Sequence, residues 1–256
     1  MSRASLPVSR TLNADAPAGA AVLPIAETFV SLQGEGKLTG VPSWFVRVAG
    51  CNLRCTWCDT PYASWAPEGT TRAVDDLLAE ARGVQSRGVR HAVLTGGEPM
   101  LFDAIEPLAS GLRAAGWHIT IETAGTIHRS LACDLMSISP KLANSTPAGD
   151  PRDPGGRWAR RHEATRLRPA VLRSLLGEYS EHQVKFVVTS GDDLAEIDEF
   201  VSGLRGLDPA DVLLMPEGVT IPDADRVAWV VDACLARGWR YAHRLHVELF
   251  GDRRGT

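Results

Sequence analysis

From Ser43 onward, short apolar runs alternate with stretches of helical apolar spacing, and that alternation leaves few folds open. Ser43–Ala49, His91–Thr95, Trp117–Ile121, Leu135–Ser139, Gln183–Val188 and Val212–Met215 read as strands, with a last one at about Leu245–Leu249. Between them, residues 73–88, 102–115, 167–178, 192–204 and 223–237 are expected to be helical, with a further short helix between 126 and 134. In the first of these, Val74, Leu77, Leu78 and Ala81 fall on one face. Strands separated by helices imply right-handed crossovers and a mostly parallel sheet. A closed eight-fold barrel needs roughly 250 residues. This chain has 256, and fewer once residues 1–24 and 143–166 are set aside. The expected fold is therefore α/β: an incomplete, laterally open (β/α) barrel with about six parallel strands, in a single domain over residues 25–256.

The excluded stretches have their own character. Residues 1–24 are rich in Ala, Pro and Ser, carry Arg3 and Arg10, and lack a continuous apolar core. They read as a disordered tail rather than a signal peptide. Residues 143–166 are dense in Pro, Gly and Arg and interrupt the alternation, either as an active-site lid or as a disordered insertion. Within them Arg157, Arg160 and Arg161 are read as a solvated face rather than an anion site. A net charge of −4 offers no argument for nucleic acid or acidic membranes as partners. No stretch approaches the roughly 18 apolar residues of a membrane helix.

In parallel α/β barrels the active site gathers at the carboxyl ends of the strands. Polar loops follow the predicted strands there: residues 51–60, Thr95-Gly96-Gly97-Glu98, Glu122-Thr123, Ser139-Pro140-Lys141 and Met215-Pro216-Glu217-Gly218. Any one of them could be turn chemistry alone; their repetition on one face points to a shared ligand. Ahead of them, Leu32-Gln33-Gly34-Glu35-Gly36 is a loop whose glycines permit close backbone approach.

The most specific of these loops is Cys51-Asn-Leu-Arg-Cys55-Thr-Trp-Cys58, with thiols spaced C-x3-C-x2-C. A structural zinc site normally closes with four Cys or His ligands, and no suitable fourth ligand follows. A disulfide would strand the third thiol. An iron–sulfur cluster on three thiolates fits better and leaves one iron open to a small molecule. Such a loop requires a reducing compartment, so a cytoplasmic location is expected. Cys133 and Cys234 lie in apolar contexts and are expected to be inert.

This loop, with the aromatic Trp57 just before its third cysteine, resembles the signature of radical S-adenosylmethionine enzymes. Thr95-Gly96-Gly97-Glu98-Pro99 resembles the segment of that superfamily that meets the amino group of the cofactor, and Ser139 to Lys141 a further cofactor-contacting segment. Within the superfamily, Leu32–Gly36, Arg47, Cys58-Asp59-Thr60 and the ending His246-Val-Glu248-Leu-Phe250-Gly resemble the 7-carboxy-7-deazaguanine synthase family. That resemblance covers nearly everything from residue 25, although segment 143–166 departs from the family's compact pattern.

The resemblance implies the same open barrel and a radical ring contraction. The substrate is 6-carboxy-5,6,7,8-tetrahydropterin, and the product, 7-carboxy-7-deazaguanine, forms with loss of ammonia toward deazapurines such as queuosine. It implies a [4Fe–4S] cluster on Cys51, Cys55 and Cys58, S-adenosyl-L-methionine, and Mg²⁺ at Thr60. Trp57, Cys58, Asp59, Gly97, Ser139, Pro140 and Lys141 would meet S-adenosylmethionine. Leu32, Gln33, Gly34, Arg47, Thr95, Met215, Pro216, Glu217 and Gly218 would meet the pterin, with Arg47 on its carboxylate. Glu122 would bind the guanidine-like edge of the pterin or transfer a proton. An external one-electron donor of flavodoxin or ferredoxin type and a homodimer are also implied.

Bland alternatives stand beside these roles: a surface ion pair for Arg47, and a turn before Pro61 for Thr60. Two other functions share the cysteines. A glycyl-radical activase would need a docking surface for its target protein and has no use for the Gln33–Gly36 loop with Thr60. An iron–sulfur electron carrier would leave the glycine loops unexplained.

Overall fold

The structure, a computed structural model, describes residues 19–256 with the exception of Arg205. Strand β1 (Val22–Leu32) pairs antiparallel with β2 (Pro42–Val48) and, on its other edge, with β3 (Thr70–Ala73). Helix α1 (Val74–Gln85) leads to β4 (His91–Gly96), and α2 (Ile105–Ala114) to β5 (His118–Thr123) and β6 (Leu135–Ile138). Helices α3 (Arg157–Thr165) and α4 (Pro169–Glu178) precede β7 (His182–Val188), and α5 (Asp193–Ser202) precedes β8 (Val212–Pro216). Helix α6 (Ala224–Arg237), β9 (Arg240–Tyr241) and α7 (Leu245–Phe250) follow.

All strands join one nine-stranded sheet in the order β3-β1-β2-β4-β5-β6-β7-β8-β9, in which β3 and β9 are the ends and the barrel stays open. Strands β2, β4, β5, β6, β7, β8 and β9 run parallel, one more than the sequence suggests. The helices form because their apolar residues recur on one face. Val74, Leu77, Ala81 and Val84 of α1 and Ile105, Leu108, Ala109 and Leu112 of α2 are buried against the sheet. Helix α6 begins where the Asp223 carboxylate accepts the Arg226 N–H at 2.8 Å. It ends at Gly238, whose φ of +69° suits the left-handed cap.

Strand periodicity divides the two faces of the sheet. Trp44, Val46, Leu94, Ile119, Ile121, Met136, Ile138, Val184, Phe186, Val188 and Leu214 point outward into the core beneath the helices. The alternate positions point into the open barrel, where Phe45, Arg47, Val93, Thr95, Glu122, Lys185, Val187 and Met215 line a cavity. A strand such as β8, Val-Leu-Leu-Met-Pro, is wholly apolar because both of its faces are covered.

Three expectations need correction. The tail predicted over 1–24 lies outside the described residues as far as position 18, and at its other end Val22, Leu23 and Pro24 belong to β1, with Leu23 fully buried. The first strand therefore starts well before Ser43. No helix forms between 126 and 134. There the Tyr179 hydroxyl accepts the Leu131 N–H at 2.7 Å, so the backbone finds its partner in a side chain instead of a helical turn. Residues 245–250 are helical, not a strand: β9 already pairs with β8, and only Val247 of α7 is buried while Leu249 and Phe250 are exposed.

Candidate active site

The cavity encloses about 560 Å³ at the carboxyl ends of the parallel strands. Of the residues implied by the sequence, Leu32, Gln33, Gly34, Arg47, Cys51, Cys55, Trp57, Cys58, Asp59, Thr60, Thr95, Gly97, Glu122, Ser139, Lys141 and Met215 line it. Pro140, Pro216, Glu217 and Gly218 do not. The Glu217 carboxylate instead pairs with Arg226 at 3.2 Å, and the Gly218 carbonyl accepts from the Arg244 guanidinium. A polypeptide leaving a strand can aim only some of its side chains inward, and here Met215 and Val219 face the cavity while the three residues between them do not.

The cysteine loop leaves β2 and returns past the end of β4. Gly97 packs so closely there that a Cβ would lie 2.1 Å from the Gly50 carbonyl oxygen. Burial pushes the Cys51 thiol up to about 12, and the Cys55 thiol upward as well. As bare thiols both stay protonated, so the loop suits a group whose cationic irons would ionise them. Cys133, whose thiol donates to the Ile119 carbonyl at 3.7 Å, and Cys234, in the core, lie away from the cavity.

Trp57 stands over the apolar floor formed by Val187, Leu213, Met215 and Ala242. Its indole N–H donates to the Asn144 carbonyl at 3.1 Å, and the Lys141 ammonium lies 5.7 Å from its ring centroid. That ammonium is tethered to the Ser139 carbonyl at 2.8 Å and hydroxyl at 2.7 Å. The Thr60 hydroxyl caps no backbone group of the following turn and sits 3.8 Å from the Cys58 sulfur, which leaves it available inside the cavity. Glu98 is structural. Fully buried, it accepts N–H bonds from Met100 and Ala124 and the Thr123 hydroxyl, tying the loop after β4 to the loop after β5.

Across the cavity a charged chain joins residues far apart in sequence. The Lys185 ammonium contacts the Glu35 carboxylate and stands 3.7 Å from Glu122. The Arg244 guanidinium reaches Glu35 at 3.1 Å and also pairs with Asp59. Burial alone would raise the Glu35 carboxyl, but Lys185, Arg244 and His246 hold it far below the usual range. Lys185 is correspondingly raised despite its burial, by Glu122 and Glu35. His246 packs against Gly34 so tightly that any side chain there would collide, a Cβ falling 1.9 Å from the imidazole Nδ1. Arg47 is the cross-strand partner of Glu27, with Nε 2.7 Å from its carboxylate. Arg254 binds the same carboxylate at 3.2 Å and stacks on Tyr62. The surface ion pair weighed for Arg47 is instead a largely buried one, and Arg47 itself lines the cavity.

Sequence reading assigned no part to Glu27, Lys185, Arg244 or Arg254. Lys185 had a signal: a charge on the inward register, flanked by the apolar Val184 and Phe186. Arg244 and Arg254 had none, because they flank the stretch 245–249 outside any motif.

Segment 143–166 is neither a lid nor disordered. None of its residues lines the cavity, and it packs on the outer side of the cysteine loop. The fully buried His162 of α3 accepts the Arg54 backbone N–H on Nδ1 at 3.1 Å, and its Nε2 meets the Ser145 hydroxyl at 2.9 Å. The Thr56 N–H donates to the Ser145 carbonyl at 2.9 Å, and Arg152 donates to the Thr56 carbonyl at 2.8 Å. Arg54 stacks on Trp158 at 4.0 Å. The insertion supplies partners to Arg54 and Thr56, backbone groups that the irregular loop does not itself satisfy.

Comparison with known proteins decides among the candidates. The radical SAM superfamily profile matches residues 45–167. A 7-carboxy-7-deazaguanine synthase of Rhodopirellula baltica is 49% identical over 243 residues, 94% of this chain and 92% of the relative. This chain belongs to the 7-carboxy-7-deazaguanine synthase family. A second synthase, from Halobacterium salinarum, is 46% identical over 256 residues, covering 96% of this chain and 98% of the relative. The crystal structure of QueE from Escherichia coli superposes with a TM-score of 0.66 at 28% identity, covering 89% of this chain and 96% of that one. The open parallel barrel and the family agree, and a radical S-adenosylmethionine enzyme carries a [4Fe–4S] cluster and that cofactor. No helix among the described residues is long and apolar enough to cross a membrane.

Proposed function

We propose that this chain converts 6-carboxy-5,6,7,8-tetrahydropterin to 7-carboxy-7-deazaguanine with loss of ammonia, on the way to queuosine-type deazapurines. The observation that carries this reading is the cavity itself. Residues from 32–35, 47, 51–60, 95–97 and 246, scattered through the sequence, line one space beside the cysteine loop. When bound, the cluster and S-adenosylmethionine supply a 5′-deoxyadenosyl radical after one-electron reduction.

The protein's part is to bind, orient and exclude water. Cys51, Cys55 and Cys58 would hold the cluster, with Trp57, Asp59, Gly97, Ser139 and Lys141 around the cofactor. Leu32, Gln33, Gly34 and Thr95 would border the pterin. Arg47 gives its Nε to Glu27 and keeps its Nη edge for the substrate carboxylate. The Glu122 carboxylate, with Lys185 beside it, would accept N–H bonds from the guanidine-like edge of the pterin. Thr60 would offer Mg²⁺ one neutral oxygen, the other ligands coming from substrate, cofactor and water. Phe45, Val93, Val187 and Met215 form an apolar wall that keeps a reactive carbon from solvent. The homodimer, the flavodoxin- or ferredoxin-type donor and the reducing cytoplasm implied by the family complete the proposal.

An anaerobic assay of the reconstituted protein with the carboxytetrahydropterin tests it. Product should form with S-adenosylmethionine regenerated, so 5′-deoxyadenosine should not accumulate in proportion to product. Stoichiometric 5′-deoxyadenosine without deazaguanine would defeat the reading.

A further inference from the structure

The inner side of α3 grips the cysteine loop; its outer side carries charge with no counterpart. Arg157 and Arg160 are exposed and Arg161 half-buried, and none pairs with a carboxylate among the described residues. The acidic side chains of the same segment are committed elsewhere. Asp150 is bound by Arg152, Asp153 accepts the Ala159 N–H at 2.8 Å, and Glu163 is held by Arg166. A chain of net charge −4 thus bears a local positive face. Arg161 lies 5.3 Å from the Trp158 ring centroid, which limits the freedom it would lose on docking.

Position gives the face its meaning. Thr56 is exposed and is the chain neighbour of Cys55, and its carbonyl is capped by Arg152 from the same segment. On this side, one residue of backbone separates the protein surface from a cysteine of the loop. The cavity lies on the opposite side and is left to substrate. Resting on the cluster assignment made above, we infer that the outer face of α3 is the docking surface for a small acidic one-electron carrier protein. The carrier's reduced centre gives up one electron and the cluster gains it; no atom is transferred. Complementary charge would steer the encounter and govern its rate more than its final affinity.

The test uses the reconstituted enzyme and its Arg157→Glu/Arg160→Glu variant, with a purified acidic flavodoxin as probe. Binding of oxidised flavodoxin is measured by calorimetry, and cluster reduction by flavodoxin hydroquinone is followed by anaerobic stopped flow. Both are run at about 20 mM and about 500 mM salt, above and below the screening range of a surface charge. In low salt the variant should bind at least tenfold more weakly and be reduced at least tenfold more slowly, with the gap closing at high salt. Reduction by dithionite, which needs no docking, should be the same in both. Equal flavodoxin binding by wild type and variant, or an equal loss with dithionite, would overturn the inference. A wild type that docks flavodoxin through this face but leaves the pterin untouched would refute the substrate and leave the docking surface standing.

Discussion

His162, on a helix inserted between β6 and β7, accepts the backbone N–H of Arg54 within the cysteine loop at 3.1 Å. Because Nδ1 is the acceptor, the proton sits on Nε2 and is donated to Ser145. The ring must therefore be neutral, and burial lowers its pKa from 6.5 to about 4.

This bond gives the first prediction. The unfolded chain takes up the His162 proton before the folded one does, so its contribution to stability is complete above about pH 6.5 and is lost as pH falls toward about 4. His162→Ala should lose that pH dependence and retain less cluster after desalting. His162→Asn, which keeps an acceptor near Nδ1, should recover much of it. Equal iron content in all three proteins would reduce the insertion to packing.

Lys185 stands between Glu35 and Glu122. Replacing it with Met removes a cation that holds the Glu35 carboxyl down. The kcat/KM profile should then drop at every pH, at least tenfold at neutral pH, because Glu35 and Glu122 lose the cation that stands between them. Cluster content should be unchanged. A variant with wild-type rates across the profile would remove the charged chain from the mechanism.

Arg47→Lys should raise the KM for the pterin about tenfold while leaving the cluster intact, since a point charge cannot serve Glu27 and a substrate carboxylate as a fork can. If KM does not move, Arg47 serves only to hold Glu27.

For Thr60, magnesium dependence is the readout. Activity should rise with added Mg²⁺ in the wild type, and Thr60→Ala should blunt that rise without loss of iron, because its hydroxyl makes no cap and faces the cavity. Identical magnesium curves would make Thr60 a turn residue.

Whatever local pattern governs is legible along the chain. Alternating apolar runs and helical spacing define most strands and helices of the parallel barrel, because periodicity is local chemistry repeated. The thiols at 51, 55 and 58 declare their loop, since eight residues of backbone cannot carry them far apart. The tertiary structure alone decided which distant groups meet. Gly34 lies under His246, Glu35 lies between Lys185 and Arg244, and Glu27 lies between Arg47 and Arg254. Burial turns those neighbours into strong interactions, and no spacing along the chain encodes it. Residues 245–250 show the same limit. Their apolar content suits a strand, but β9 had filled the place beside β8, and the Leu245 N–H was left to bond the Gly34 carbonyl at 2.8 Å. Segment 143–166 was the least legible for the same reason. Its composition resembles a loop, and its order comes from the cysteine loop it satisfies, a partner 96 to 108 residues away in the chain.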